Sequence, residues 1–401
     1  MKGKVLLVVP VFPQPSETFI VNHFSGLLEK GWNVHLLCGR INRSAISHYQ
    51  EVYPKFHGRI HTLLPVHPAV LAFFLFPFIL LFSLCFSPGL MVRYFRFSPA
   101  KSIWEKVKQF YLDFPVLWLN PDILHFEFGY QVVGKSFLKS VLNCRLVVSF
   151  RGHDLDFWNL DAPDAYRVDC SRVDAIHVLS EALRQKALQR GCPENSVFWR
   201  IPPAVNPADF KPNGTRKNAE FFNILSVGRL HWVKGYEYAL SAIAILKQQQ
   251  IPVRYCIIGD GEFRPALEFA VHQLGLQDCV TFLGKQSQDV IRRELEKADV
   301  FLHPAVEEGF GNAVLEAQAM EVPVVCSDAV GLPENVQDGV TGFVVPRRNP
   351  QLLAEKLIFL LQNPQARIEI GRAGRQRVLE CFSLEQQKEA FDRMYSSLFT
   401  G

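Results

Sequence analysis

Short apolar, β-branched runs recur along this chain with helix-forming stretches between them, and the pattern stops once and then restarts. In the first half the runs are KVLLVV (4–9), NVHLLC (33–38), DILHFE (122–127), RLVVSF (145–150) and AIHVLS (175–180). Pro202, Pro203, Pro207 and Pro212 then make 201–214 a stiff, extended linker, because residues before proline are pushed out of the helical region. Beyond it come FNILSV, RYCIIGD (254–260), VTFLGK (280–285), DVFLHP (299–304), VPVVCS (322–327) and GFVVP (342–346). This alternation of strand and helix predicts a doubly wound parallel sheet in each half. At 401 residues the chain also exceeds a usual single core, so two domains are expected.

Composition narrows the partners. A net charge of +4, with no dense basic block or aromatic-interleaved basic patch, gives no reason to expect nucleic acid. The nine cysteines are scattered, odd in number and lack a CxxC pair, which reads as reduced, mostly buried thiols in a cytoplasmic protein. The opening MKGKVLLVVP has too short an apolar run for a signal peptide and reads as the first strand.

Two groups of polar residues fall at strand ends in the second half. In the string EGFGNAVLE, Glu308 and Glu316 flank a Gly309-Phe310-Gly311 loop and a helix-forming run from Asn312 to about Met320. Glycines let a ligand approach the backbone closely. A helix start presents unpaired N–H groups and a positive dipole end, which suits phosphate. Helical rise allows the two carboxylates to lie up to roughly 12 Å apart. A nucleotide sugar spans that distance, with hexose hydroxyls near one carboxylate, diphosphate over the helix start and ribose near the other. An ordinary loop and amphipathic helix, with Glu316 solvated, is the competing reading of this string alone. Upstream, NILSVGRLHWVKGYEYAL (223–240) places Arg229 and Lys234 at the carboxyl end of a strand, where ligands of open α/β sheets bind. A fixed guanidinium fork and a mobile ammonium suit a diphosphate. Two cations, a glycine turn and the downstream glutamates together outweigh the reading of two solvated cations.

The strings GRLHWVKG and EGFGNAVLEAQAMEVPVVCSD resemble family 4 retaining glycosyltransferases of the GT-B fold, and the resemblance covers nearly the whole chain. PVFPQPSETFIVNH (10–23), HFEFG (125–129) and SFRGHD (149–154) look like the subset that builds bacterial exopolysaccharides of the colanic acid and amylovoran type. The resemblance implies two Rossmann-like domains facing a cleft. An acceptor-binding domain would span 1–205, a nucleotide-sugar-binding domain 206–380, and a C-terminal helix at 381–401 would cross back to the first domain. It implies transfer of a hexosyl unit from a nucleotide-diphosphate sugar to a saccharide acceptor, lipid-linked in such enzymes, with retention of configuration. Front-face attack, with the departing phosphate taking the acceptor proton, requires no carboxylate base.

Roles follow by the same resemblance. His153, Arg229, Lys234 and Glu308 form the catalytic set. His153 contacts the transferring sugar, and Arg229 and Lys234 neutralise the diphosphate. Glu308 holds the hexose, Glu316 the ribose, and the N–H groups of Gly309, Phe310, Gly311 and Asn312 complete the grip. The base lies near Phe282 to Lys285, which adds Lys285 to the donor set. Ser16, Glu17 and Thr18, where many relatives carry a Gly-Gly loop, begin a helix on the acceptor side, with His125 and Glu127 pointing to the cleft. Ser16 reads equally as a simple N-cap. Asp154-Leu155-Asp156 spells the metal–diphosphate signature of a different fold, but the Arg229/Lys234 pair supplies that charge, so no metal and no other cofactor is expected. Gly259-Asp260-Gly261 lacks the third glycine of a dinucleotide fingerprint, which disfavours NAD. A nucleotide-sugar epimerase, a non-catalytic nucleotide-sugar sensor and, more distantly, an NAD-dependent dehydrogenase are the competing readings.

One segment departs from a plain soluble enzyme. No charged residue occurs from Pro68 to Val92, and AVLAFFLFPFILLFSLCF (69–86) is almost wholly apolar. A helix of that length would reach about 27 Å, close to a hydrocarbon core. A single crossing would put strand 4–9 and its partners on opposite sides of a membrane, and Pro77 would kink a straight span. Arg93, Arg96, Lys101, Lys106 and Lys108 follow it. The pattern predicts a monotopic insertion or shallow hairpin that docks the first domain on the inner face of the membrane, against the alternative of a core or dimer-interface helix.

Overall fold

The computed structural model describes residues 2–14, 17–43, 53–64, 69–213 and 220–400. The chain forms two compact units, Met1–Ile201 with Lys388–Gly401, and Pro202–Gln387.

In the first unit, β1 (Lys4–Phe12), β2 (Asn33–Ile41), β3 (Ile60–Thr62), β4 (Ile123–Phe126), β5 (Arg145–Phe150), β6 (Ala175–Val178) and β7 (Phe198–Arg200) form one parallel sheet. Its order is β3-β2-β1-β4-β5-β6-β7. The interior strands are covered on both faces, which is why they read as near-continuous apolar runs. The five strands predicted for this half all form. β3 (IHT) and β7 (FWR) are additions: each has three residues, sits at an edge and is only partly buried, so neither carries an apolar run. The C-terminal helix, Leu384–Thr400, contributes Phe391, Met394, Tyr395 and Leu398 to the core that holds Val5, Leu7, Phe24 and Val147. Cys170 and Cys192 are joined as a disulfide with Cα atoms 5.3 Å apart, which corrects the expectation of nine reduced thiols.

The apolar segment, whose first residue Pro68 lies outside the described residues, forms α2 (Ala69–Phe86), counting Thr18–Glu29 as α1. α2 runs through Pro77 and is followed by α3 (Pro88–Phe97) and α4 (Ile103–Leu119). α3 starts on Pro88, where the missing N–H costs nothing. α4 starts on a capping box in which Ser102 and Glu105 satisfy each other's backbone donors. Buried Tyr94 fastens α3 to the unit: its hydroxyl donates to Asp113 at 2.7 Å and its ring meets Phe110 and Phe137 edge-on. Among the described residues no single helix is long and apolar enough to cross a membrane. The pair Leu75–Cys85 and Pro88–Phe97, bent by 112°, passes that test together by length and composition.

In the second unit, β8 (Phe222–Val227), β9 (Val253–Ile258), β10 (Val280–Gly284), β11 (Val300–His303), β12 (Val324–Ser327) and β13 (Gly342–Val345) form a parallel sheet ordered β10-β9-β8-β11-β12-β13. All six predicted runs become these strands. Ile224, Ile257, Leu302 and Val325 from the sheet pack with Leu240, Ile243, Leu357 and Leu360 from its helices.

Candidate functional site

The second sheet reverses direction of build between β8 and β11, and in open α/β sheets that switch point is where ligands bind, beyond the strand ends. Gly228 and Arg229 follow β8; Pro304 to Glu308 follow β11. The two loops are tied together through the backbone. Val306 and Glu307 donate their N–H groups to the Val233 carbonyl at 2.7 and 3.2 Å. Gly235 has φ +63°, and a Cβ there would lie 2.2 Å from the Pro304 carbonyl oxygen, so only glycine permits this approach.

That approach sets Lys234 against Glu308. The Lys234 ammonium donates to Oε2 of Glu308, and Nε2 of buried His303 reaches the same oxygen at 2.9 Å. Burial alone would raise the Glu308 carboxyl, but the Lys234 charge and the His303 hydrogen bond outweigh it and hold the group well below the usual carboxylate range. Burial pushes His303 down, favouring its neutral form. Oε1 of Glu308 has no hydrogen bond among the described residues, and Lys234 has donors to spare beyond the one used.

Next to this pair the helix Asn312–Ala319 begins on Gly311, which has φ +91° and provides no side-chain cap. The N–H groups of Phe310, Gly311 and Asn312 make no hydrogen bond among the described residues. The carbonyls of Phe310 and Gly311 accept from Asn335 Nδ2 at 2.8 and 3.1 Å, which orients the loop. The Phe310 side chain is buried against Phe382, so this residue offers a ligand only its backbone. Glu316, one turn into the helix, is partly buried and makes no side-chain hydrogen bond or ion pair among the described residues. Burial pushes its carboxyl up to about 7. Arg229 and Lys285 are exposed, and their side chains also lack partners among the described residues. Of the residues expected around a donor, Lys234 and Glu308 are therefore brought into direct contact. Arg229, Lys285 and Glu316 stand ready without touching one another.

In the first unit the strand ends carry a buried polar network. Glu127, wholly buried, accepts from His23 Nδ1 at 2.6 Å and from the Arg151 guanidinium, while Arg151 Nε donates to the Glu127 carbonyl at 3.0 Å. Burial would raise Glu127, but Arg151 and His23 hold it well below the usual range. His125 corrects the sequence reading. It lies on the interior strand β4 with no exposure, and its two ring nitrogens are taken by Tyr395 Oη at 2.5 Å and Ser149 Oγ at 2.8 Å. Burial drives it down to about 3, so it is a neutral structural group and not an acceptor contact. Glu127 is likewise committed inward. His23, His125 and Glu127 have ligand atoms within 4.8 Å of one another, a spacing that could hold a metal, yet their own hydrogen bonds and the Arg151 charge fill the set.

His153 is exposed at the start of a short helix, His153–Asp156, behind Gly152 at φ +113°. Asp154 is buried and accepts from the backbone N–H groups of Gly129, Arg151 and Gly152, and Asp156 pairs with Lys186. Both carboxylates of the DxD string thus serve the protein's own donors. Glu17 is the N-cap residue of α1, and Thr18 its first residue; Ser16 lies outside the described residues. Glu17 accepts from Gln14 Nε2 at 2.9 Å through one oxygen, leaves the other buried without a partner, and is pushed up to about 7 by burial. His303, His23 and Tyr395 were not picked out by sequence. His303 ends a predicted strand, five residues before the Glu308 it supports, while Tyr395 lies 270 residues from His125, beyond any spacing argument.

Residues 208–377 match the family described as Glycosyl transferases group 1. This stretch of the second unit is similar to group 1 glycosyltransferases. The chain is 27% identical over 391 residues to the amylovoran biosynthesis glycosyltransferase AmsK of Erwinia amylovora, covering 92% of this chain and 93% of that one. Its fold matches the crystal structure of Anabaena HepE in complex with UDP and glucose, with a TM-score of 0.74 at 17% identity over 99% and 100% of the two chains. It matches sucrose-phosphate synthase from Thermosynechococcus elongatus with a TM-score of 0.76 at 19% identity over the full length of both. The two parallel-sheet units are those of the GT-B fold.

Proposed function

We propose that this protein is a glycosyltransferase that moves a hexosyl unit from a nucleotide-diphosphate sugar to a lipid-linked saccharide, with retention of configuration, in exopolysaccharide synthesis at the membrane's inner face. The observation that carries the donor half is the switch point of the second sheet. There an ammonium with spare donors, a carboxylate with a free oxygen and an uncapped helix start lie on adjoining loops. In this reading Lys234, Arg229 and the N–H groups from Gly309 to Asn312 take the diphosphate, where charge grows as the glycosidic bond breaks. Oε1 of Glu308 accepts from a hexose hydroxyl, Glu316 from the ribose, and Lys285 borders the base. His153 serves the transferring hexose as a hydrogen-bonding group. The departing phosphate takes the acceptor proton, so no carboxylate is assigned as base. The likeness to AmsK over nearly the whole chain supports the exopolysaccharide setting.

The test is transfer from radiolabelled UDP-, GDP- and ADP-hexoses to lipid extracts carrying saccharide acceptors, with the product's anomeric configuration read by NMR. A UDP-sugar is the first donor to try, since HepE was crystallised with UDP and glucose. A labelled lipid-linked product whose anomer matches the donor's is expected. An inverted product would remove the retaining mechanism, and an isomerised donor without transfer would replace the transferase by an epimerase.

A further inference from the structure

A cavity of about 350 Å³ opens among α2, α3 and α4 in the first unit. Its lining is mixed: six of the ten residues are apolar, Leu90, Phe110 and Leu117 among them, beside Ser83, Ser87 and Asn120, and Arg93 is the one cation. The volume lies at the lower end of that of small-ligand sites, which are mostly apolar with a few placed polar groups. The surface around it is unusual for a protein in water. Phe78 is 72% exposed, Trp104 80% and Trp118 60%, and Leu81, Leu84, Val92 and Ile103 are exposed as well. Large apolar side chains exposed on three helices that pack together mark an interaction site, and tryptophan is the side chain favoured at a membrane–water boundary.

Charge identifies the partner. Arg93, Arg96, Lys101 and Lys108 are exposed around the apolar side chains. Between 69 and 112 the only acid is Glu105, and its carboxylate is engaged by the backbone of Lys101 and Ser102. Exposed cations beside apolar groups complement an anionic lipid leaflet. The 112° bend between the two helices suits an element that dips into a leaflet and returns.

We propose that this face docks on an anionic bilayer and that the cavity takes one hydrocarbon chain of a phosphate-bearing lipid, with Arg93 facing the phosphate. The proposal rests on the membrane-associated transferase reading and locates it on particular side chains.

The full chain is mixed with vesicles of phosphatidylglycerol and phosphatidylcholine, or of phosphatidylcholine alone, and sedimented. Binding to the anionic vesicles is expected, falling about 30-fold in Arg93→Gln/Arg96→Gln, since each cation beside an anionic leaflet is worth about 1 kcal/mol. Brominated acyl chains should quench tryptophan emission in the wild type and much less in Trp104→Phe/Trp118→Phe. Brominated-chain lysophosphatidylglycerol, added below its micellar concentration, should quench Trp118 in the wild type and not in Leu90→Phe, whose larger ring fills the cavity. Equal binding to both vesicle types, or a dimer by light scattering that ignores both, overturns the docking face. Quenching by the monomeric lipid that survives in Leu90→Phe overturns the cavity assignment. Donor hydrolysis measured without lipid keeps the two readings apart. Lost vesicle binding with hydrolysis intact removes only the docking proposal, and lost hydrolysis with vesicle binding intact removes only the transferase reading.

Discussion

Replacing Glu316 by glutamine should make the ligand-free protein more stable and its donor site worse. Burial raises the Glu316 carboxyl from 4.5 to about 7, and no partner among the described residues compensates for its charge. That gap corresponds to about 3 kcal/mol at pH values well above 7, as an order of magnitude. Between about 4.5 and 7 the folded protein holds a proton that the unfolded chain releases, so stability falls as pH rises through this window and then levels off. Glu316→Gln removes the dependence. It should gain up to about 3 kcal/mol over the wild type at pH 8 and almost nothing at pH 4.5. The same change should weaken the donor, because a charged acceptor of ribose hydroxyls contributes about 1.5–3 kcal/mol, or roughly tenfold to a hundredfold in Kd. Donor affinity of the wild type should rise between pH 6 and 8, and that of the variant should stay flat. Thermal melts across that range, paired with calorimetric titration of UDP-glucose or whichever donor the screen returns, measure both. A variant no more stable than the wild type at pH 8 would show that Glu316 is solvated, and the ribose assignment would lose its physical basis.

Three further perturbations address other parts of the molecule. Lys234→Ala should lower kcat by about 10- to 100-fold with a smaller effect on donor Kd, because the charge it meets grows in the transition state; a change confined to acceptor KM would place the residue elsewhere. Gly235→Ala should destabilise the second unit by more than about 2 kcal/mol in urea melts, since both its φ and the Pro304 carbonyl exclude a side chain; a stable variant with normal donor affinity would contradict the loop geometry. Tyr395→Phe leaves a buried nitrogen of His125 unpaired and should cost about 1–3 kcal/mol in the first unit without changing donor affinity; a weakened donor instead would mean the network does more than hold the fold.

What was legible in the sequence follows physical lines. Interior parallel strands are covered on both faces, so RLVVSF and FNILSV announce themselves as apolar runs, and their strands β5 and β8 begin and end where those runs do. Edge strands need no such run, and IHT and FWR passed unseen. The loops after β8 and β11 were legible because glycine, lysine and glutamate sit there against local preference: Gly235 and Gly311 take backbone angles that other residues avoid. His125 misled because strand periodicity tells which residues share a face but not which face meets a helix. The helix in question supplies Tyr395 from the far end of the chain. The Cys170–Cys192 pairing and His303's support of Glu308 depend likewise on contacts that no local pattern encodes.

The first unit is also the last to be finished. Phe391, Met394, Tyr395 and Leu398 fill its core, and Asp392 accepts from Trp32 and Lys2. A ribosome therefore releases the strands β1 to β7 long before it supplies the helix that completes their packing, with the whole second unit made in the interval. During that time the seat of the C-terminal helix lies open, and His125 lacks the hydroxyl that satisfies it. A chain stopped short of Phe391 would carry an intact second unit and an apolar, half-satisfied first unit fit for proteolysis. Synthesis of this helix is thus a checkpoint for the first unit, and a fragment ending at Ile201 should not fold as an independent unit.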